Sequence, residues 1–226
     1  MDGSLLDILA LVPALVFAIV FHEIAHGWTA LALGDPTAKE QRRLSPNPLR
    51  HVDPFGTLIL PGLLKLAGAP VFGWAKPVPV VAQRLRNPRF GMVAVAAAGP
   101  LSNLVMATLG AIAIGMLLRG GEPPAASVAG FFVTAIANFI QINVFIAFFN
   151  LLPIPPFDGS HIVEGALPRA WGERYGKLRN LGMGLFFVVV ALTWFGPTSG
   201  WLEHVIGPPI DWMLDRFHTL ADWVAG

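Results

Sequence analysis

The sequence predicts an all-α polytopic membrane protein with about four transmembrane helices and a re-entrant or short β-containing membrane-associated segment. Composition is the first reason: 54% of the 226 residues are hydrophobic and 13% are charged, whereas soluble domains carry about 25% charged residues. Secondly, several apolar stretches approach the roughly 20 residues that cross a bilayer. Thirdly, most basic residues lie in loops between those stretches. We therefore expect a multi-pass protein of the cell membrane.

Four apolar segments are predicted to span the bilayer. The first is expected to be retained, because residues 1–7 contain acids but no Lys or Arg, whereas a signal peptide begins with a basic region. The fourth is short for a span and is expected to lean on its neighbours. The four segments cover residues 5–33, 91–118, 127–152 and 181–196.

Two further segments differ from these spans. Residues 56–74 are apolar but interrupted by prolines and glycines, which favours a re-entrant or sheet-like element packed against protein. Residues 201–226 mix tryptophans with acidic residues, as in an interfacial helix or a plain amphipathic tail. We accordingly predict one domain over residues 1–200, followed by a C-terminal tail.

Positive charge sets the predicted orientation. Twelve of the fifteen basic residues lie in the loops 34–55, 76–90 and 153–180, which the positive-inside rule places in the cytoplasm. With four spans and a re-entrant segment, both termini then lie outside. The first span ends near Trp28 at the cytoplasmic interface, so a site just before it is reachable by cytoplasmic water. The net charge of +1 gives no indication of nucleic-acid binding.

The first span contains the run His22-Glu-Ile-Ala-His26. Two histidines four residues apart share one face of a helix, where they can bind a single Zn²⁺, and Glu23 is the general base that this pattern supplies to a metal-assisted hydrolase. The alternative is a satisfied polar cluster in the bundle core. Because the chain has no cysteine, any metal must be held by His, Asp or Glu.

A catalytic zinc needs a third protein ligand. Asp158 is the preferred candidate, since it follows a proline-rich stretch whose backbone is expected to line a cavity, although it could instead cap the next helix. His51, beside Asp53, is also considered as a partner of the metal ligands. The other candidates for the third ligand are Glu164, His161, His51, His204 and His218.

Five amide side chains lie on the second and third spans, where hydrogen bonds between helices are their ordinary role. Asn150 is distinguished by its position at the start of the proline-rich stretch. There it could donate to a developing oxyanion or hold a substrate carbonyl. The five are Asn103, Asn138, Gln141, Asn143 and Asn150.

These motifs, in this order, resemble the site-2 protease family of intramembrane zinc metalloproteases, in the short form without a PDZ domain. The resemblance implies one Zn²⁺ per chain, held by His22, His26 and Asp158, with Glu23 as base and Asn150 near the substrate. It also implies regulated cleavage of single-span membrane proteins. Arg42 and Pro46 depart from the usual family residues. The matching segments are His22 to His26, Gly34 to Ala38, Leu44 to Thr57, Gly73 to Val80, Ala98 to Asn103 and Asn150 to Gly159.

Two other classes compete with this interpretation. A transporter or channel also places polar residues in spans, but it predicts inverted repeats, and the His-Glu run occurs once. An inactive helix-binding scaffold has no need of Glu23. The expected partners are a transmembrane protein substrate and the lipid bilayer, and a homo-oligomer is compatible with the sequence. We also expect extended chain at 57–61 and 76–81, where a substrate strand could pair.

Overall fold

The computed structural model describes residues 5–66, 68, 73–194 and 200–226, and within these ranges all regular structure is helical. Short 3-10 turns lie at Pro48–Arg50, Ala82–Arg84 and Lys177–Leu181, and a π-helical turn at Pro54–Ile59. The predicted all-α class is confirmed. The helices are α1 (Leu5–Ala32), α2 (Thr37–Glu40), α3 (Leu60–Leu66), α4 (Pro88–Leu118), α5 (Val128–Asn150), α6 (Asp158–Ala166), α7 (Arg169–Gly176), α8 (Gly182–Trp194) and α9 (Trp201–Ala225).

Three described helices are long and apolar enough to cross a membrane: residues Ala10–Ala32 of α1, together with α4 and α5. The fourth predicted span, 181–196, coincides with α8, which has 13 residues. At 1.5 Å per residue such a helix extends about 20 Å, short of the roughly 30 Å hydrocarbon core. The predicted count of four is therefore not confirmed. Residues 195–196 of that segment lie outside the described ranges.

Helix α4 packs against α1, α5 and α9. Small side chains permit the close approach: Ala107 and Ala111 of α4 are fully buried against Ile140 and Val144 of α5 and Phe217 of α9. Tight packing of small and branched residues holds these helices together, since the hydrophobic effect does not drive helices together within lipid. It fixes the relative positions of α4, α5 and α9, while α1 packs against α4 and α5, and the site described below lies on α1, α4, α5 and α6.

Helix α9 runs along α4, in the same direction. Towards the end of both helices, the Arg119 Nε donates a hydrogen bond to the Val224 carbonyl at 2.9 Å, and a Cβ at Gly115 would lie 2.6 Å from the Val224 Cβ. Earlier in the helix, Ile206 packs with Phe157. The division of the chain at residue 200 stays a prediction.

Residues 56–66 are helical, so the predicted sheet-like character of 56–74 and extended chain at 57–61 are wrong for the described residues. The helical turn begins because the Asp53 carboxylate caps the Gly56 N–H at 2.6 Å, with Pro54 in the first position, where proline is favoured. Pro61 lacks an N–H, and the Gly56 carbonyl accepts a hydrogen bond from the Trp74 N–H at 3.1 Å. Residues 67 and 69–72 lie outside the described ranges.

The chain from 73 to 81 has no regular structure and is fastened to the loop before it. The Lys76 N–H donates to the His51 carbonyl at 2.8 Å. The buried guanidinium of Arg43 donates to the carbonyls of Lys76 and Pro77. His51 and Arg43 therefore fix the beginning of the segment, and with it the position of the segment relative to α1.

Candidate metal centre

Three potential metal ligands converge between α1 and the first residue of α6. The Asp158 Oδ2 lies 3.1 Å from the His22 Nε2 and 3.3 Å from the His26 Nε2. Both imidazoles are buried, with 5% and 9% of their residue surface exposed. Of the His, Asp and Glu residues in the described ranges, these three form the one group whose ligand atoms could surround a single ion.

Helix α4 fixes the orientation of both imidazole rings. The His22 Nδ1 lies 2.6 Å from the Asn103 Oδ1, and the His26 Nδ1 lies 2.7 Å from the Val95 carbonyl oxygen. The Asn103 Oδ1 and the Val95 carbonyl oxygen can only accept a hydrogen bond. Each Nδ1 therefore carries a proton and donates it. In the neutral imidazole, each Nε2 then presents a lone pair. The hydrogen bonds thus turn both Nε2 atoms towards Asp158 as ligands.

The site therefore brings three acceptor atoms together with no donor among them. The Asp158 Oδ2 is buried and receives no hydrogen bond from any residue in the described part of the chain. A buried carboxylate without a donor is costly unless a cation binds it. Bond lengths of about 2.0–2.2 Å around a tetrahedral Zn²⁺ put ligand atoms about 3.3 Å apart, which matches the separations from Asp158. The donor set and its spacing fit zinc.

Gly99 of α4 allows the α4 backbone to pack directly against the imidazole rings of His22 and His26. A Cβ at Gly99 would lie 2.6 Å from the His22 Cε1 and 2.6 Å from the His26 Nε2, which no real side chain tolerates. The dipeptide Gly99-Pro100 looks in the sequence like a packing feature only. Its role beside the imidazoles depends on how α4 is rotated against α1, and no local pattern encodes that rotation.

Asn103 is the main functional residue that sequence reasoning did not single out. It is fully buried, and its Nδ2 donates to the Ala18 carbonyl at 3.1 Å and to the Asn143 Oδ1 at 2.8 Å. Its oxygen is thereby oriented towards His22. A polar amide on an apolar helix itself indicates a possible functional residue. The sequence has four other such amides on the same two helices, so this criterion does not distinguish Asn103.

Glu23 follows His22 on α1 and is half-buried. Its Oε2 accepts a hydrogen bond from the backbone N–H of Val78 at 2.7 Å. Asn150 is the last residue of α5, and its Nδ2 donates to the Ile146 carbonyl at 2.9 Å. An amide group has a second N–H, so this bond leaves one donor for another acceptor.

The alternative third ligands do not join the cluster. His161 and Glu164 both contact Arg179, whose Nη1 lies 3.0 Å from the His161 Nδ1 and whose Nη2 pairs with the Glu164 carboxylate. Burial and the positive charge of Arg179 lower the pKa of His161 to about 4. His51 is buried against the Ser45 carbonyl, at 2.9 Å. His204 and His218 are exposed.

Comparisons with known proteins agree with one another. The sequence profile of "Peptidase family M50" matches residues 10–193. "Putative zinc metalloprotease YwhC" of Bacillus subtilis (strain 168) is 37% identical over 193 residues, covering 84% of this chain and 85% of that protein. "Putative zinc metalloprotease Rip2" of Mycolicibacterium smegmatis is 28% identical over 193 residues, covering 84% of this chain and 69% of that protein. No solved structure gives a significant match.

The family match includes α1, α4, α5 and α6, which together carry every residue of the convergent group. The alignment with the relative that is 37% identical covers 85% of that protein. This protein belongs to peptidase family M50, the site-2 protease family.

Proposed function

We propose that this membrane protein is an intramembrane zinc metalloprotease that cleaves single-span membrane proteins near the cytoplasmic face of the bilayer. The observation that carries the proposal is the convergence of the His22 Nε2, the His26 Nε2 and the Asp158 Oδ2, with Glu23 adjacent on the same membrane helix. The names of both relatives, which describe zinc metalloproteases, support it.

The proposed roles follow from the chemistry of each side chain. His22, His26 and Asp158 would hold Zn²⁺, which when bound supplies a Lewis acid for the scissile carbonyl and for water. Glu23 accepts the proton of the attacking water and delivers it to the leaving amine. Asn150 donates its remaining amide N–H to the substrate carbonyl as negative charge develops there.

The helix directions support the predicted orientation. Helix α1 runs antiparallel to α4, because His22 contacts Asn103 while His26 contacts Val95. Helix α9 ends beside Arg119, at the end of α4. The start of α1 and the end of α9 therefore lie at one end of the bundle, and the basic loops lie at the other. With these loops in the cytoplasm, both termini lie outside and the metal centre lies nearer the cytoplasmic face.

A helical substrate hides its carbonyls in backbone hydrogen bonds. It must therefore unwind locally before Glu23 and Asn150 can act on a peptide bond. We propose single-span proteins as substrates, in the manner of regulated intramembrane proteolysis, because His22 and His26 lie on a helix long and apolar enough to cross the membrane, where the transmembrane segment of a substrate can reach them. Membership of a peptidase family speaks against a transporter, and the intact Glu23 speaks against an inactive scaffold.

The test compares Glu23→Gln with His22→Ala in purified full-length protein. Zinc content is measured by elemental analysis, and cleavage is measured on a single-span reporter peptide with a Gly-Ser pair near its cytoplasmic end. Glu23→Gln should keep zinc and lose cleavage by more than about 1,000-fold, since the base is lost. His22→Ala should lose both. Undiminished cleavage by Glu23→Gln, or wild-type protein that binds no zinc, contradicts the proposal.

A further inference from the structure

We propose that the backbone N–H of Val78 positions the Glu23 carboxylate for its work as general base. This inference rests on the proposed function. The Val78 N–H donates to the Glu23 Oε2 at 2.7 Å, a short hydrogen bond to a carboxylate. Val78 is itself buried, with 8% of its surface exposed. One carboxylate oxygen is thereby fixed, and among the described residues no hydrogen bond is made to the Oε1, which can face water.

The donor cannot move away easily, because the segment around it is held on both sides. Before Val78, Arg43 donates to the carbonyls of Lys76 and Pro77. After it, the Val81 N–H donates to the Asp35 Oδ2 at 2.6 Å. A glutamate with three rotatable side-chain bonds would otherwise sample many orientations. The fixed N–H selects the one that faces the segment.

Glycine 27 permits this close approach. It lies one helical turn after Glu23 on α1, on the side that meets the segment. A Cβ at this position would lie 2.9 Å from the Val78 Cγ1, closer than real Cβ contacts, and 3.2 Å from the Ala38 Cβ, closer than most of them. The absence of a side chain at Gly27 therefore brings the backbone of Val78 within hydrogen-bonding distance of Glu23.

A competing role for the same segment is pairing with a substrate strand. Between residues 77 and 81, Pro77 and Pro79 have no N–H, and those of Val78 and Val81 are already donated within the chain. The N–H of Val80 has no partner among the described residues. Strand pairing would therefore depend on Val80, whereas orientation of the base depends on Val78. The two roles make opposite predictions for the two valines.

Proline substitution separates these roles. Val78→Pro removes the donor, and Val78→Ala keeps it while losing the same buried methyl groups, so Val78→Ala gives the reference rate. We expect kcat of Val78→Pro to fall about 10- to 100-fold below that reference, the range for a misplaced catalytic group, with KM and zinc content unchanged. Val80→Pro should leave kcat within about 2-fold of wild type, since no base contact is lost. Equal rates for Val78→Pro and Val78→Ala, or a loss confined to Val80→Pro, would overturn the proposal.

Hydrogen exchange gives a readout that does not depend on cleavage. A fragment covering residues 77–81 carries only the amides of Val78, Val80 and Val81. Wild-type protein should show two slow amides and one fast amide, and Glu23→Ala should convert one slow amide to a fast one. Unchanged exchange in Glu23→Ala would refute the hydrogen bond. Active Glu23→Gln combined with the expected exchange would instead refute the proposed function and leave the contact intact.

Discussion

Two carboxylates near the C-terminal end of α1, those of Asp35 and Asp158, have opposite surroundings. Asp35 is fully buried, and both of its oxygens accept hydrogen bonds: Oδ1 from the Thr37 N–H and hydroxyl, and Oδ2 from the Val81 N–H. Asp158 instead directs its Oδ2 at two imidazole nitrogens that present lone pairs, and no described residue donates to it.

The difference distinguishes a structural carboxylate from a candidate ligand. Burial alone would raise the pKa of Asp35, but the hydrogen bonds from Thr37 and Val81 hold it below its ordinary value, so the chain itself stabilises the negative charge. Nothing in the described part of the chain does so at the Asp158 Oδ2. A positive charge must come from elsewhere, and the neighbouring imidazoles suit a transition metal.

The largest effect is expected from Asp158→Asn. Loss of the charged ligand should weaken zinc binding by more than about 100-fold and abolish cleavage, because a site with two ligands holds the ion poorly. Chelator competition measures the affinity. Glu164→Gln on the same helix is the matched control and should retain zinc, because Glu164 is paired with Arg179. Zinc loss in the control but not in Asp158→Asn would reverse the assignment.

Asp35→Asn should have a smaller effect, on stability and not on metal binding. Either orientation of the amide puts its NH₂ against a donor, from Thr37 or from Val81. A buried donor left unsatisfied costs about 1–3 kcal/mol. Thermal unfolding of the metal-free protein in detergent measures this loss, and zinc affinity should match that of wild type. If the variant unfolds like wild type but loses zinc, Asp35 is not a purely structural carboxylate, and the distinction from Asp158 is wrong.

The spanning helices and the three convergent side chains can be predicted from the sequence, each for a different reason. Apolar length alone predicts α1, α4 and α5, because a spanning helix satisfies its own backbone. The spacing of His22 and His26 predicts that they share a helical face, since i and i+4 are neighbours on any helix. The family motifs predict that Asp158 joins them, and the structure brings the three together.

Relations between separate elements were not predictable. The contact of Asn103 with His22 requires the rotation of α4 relative to α1, and the contact of Val78 with Glu23 requires the path of an irregular segment. The helical turn at Pro54–Ile59 was missed for a local reason. The prolines and glycines at 61–73 favour an interrupted, sheet-like segment over 56–74, whereas Asp53 caps the turn and the Trp74 N–H donates to the Gly56 carbonyl.

The smallest effect is expected at His161, a third side chain that, like Asp35, has a hydrogen-bond partner within the protein. His161 lies one turn after Asp158, and like Asp35 it has a donor, Arg179. Its pKa is lowered from an ordinary 6.5 to about 4, so between these values the unfolded chain binds more protons and stability falls as the pH drops.

His161→Gln keeps an acceptor for Arg179 but does not titrate. Thermal unfolding at about pH 7.5 and about pH 5 should therefore show wild type losing about 2 kcal/mol more than the variant, or about 4–8 °C. A parallel decline of the two proteins would mean that the His161 imidazole is not held neutral by Arg179, and its exclusion from the metal centre would then rest on distance alone.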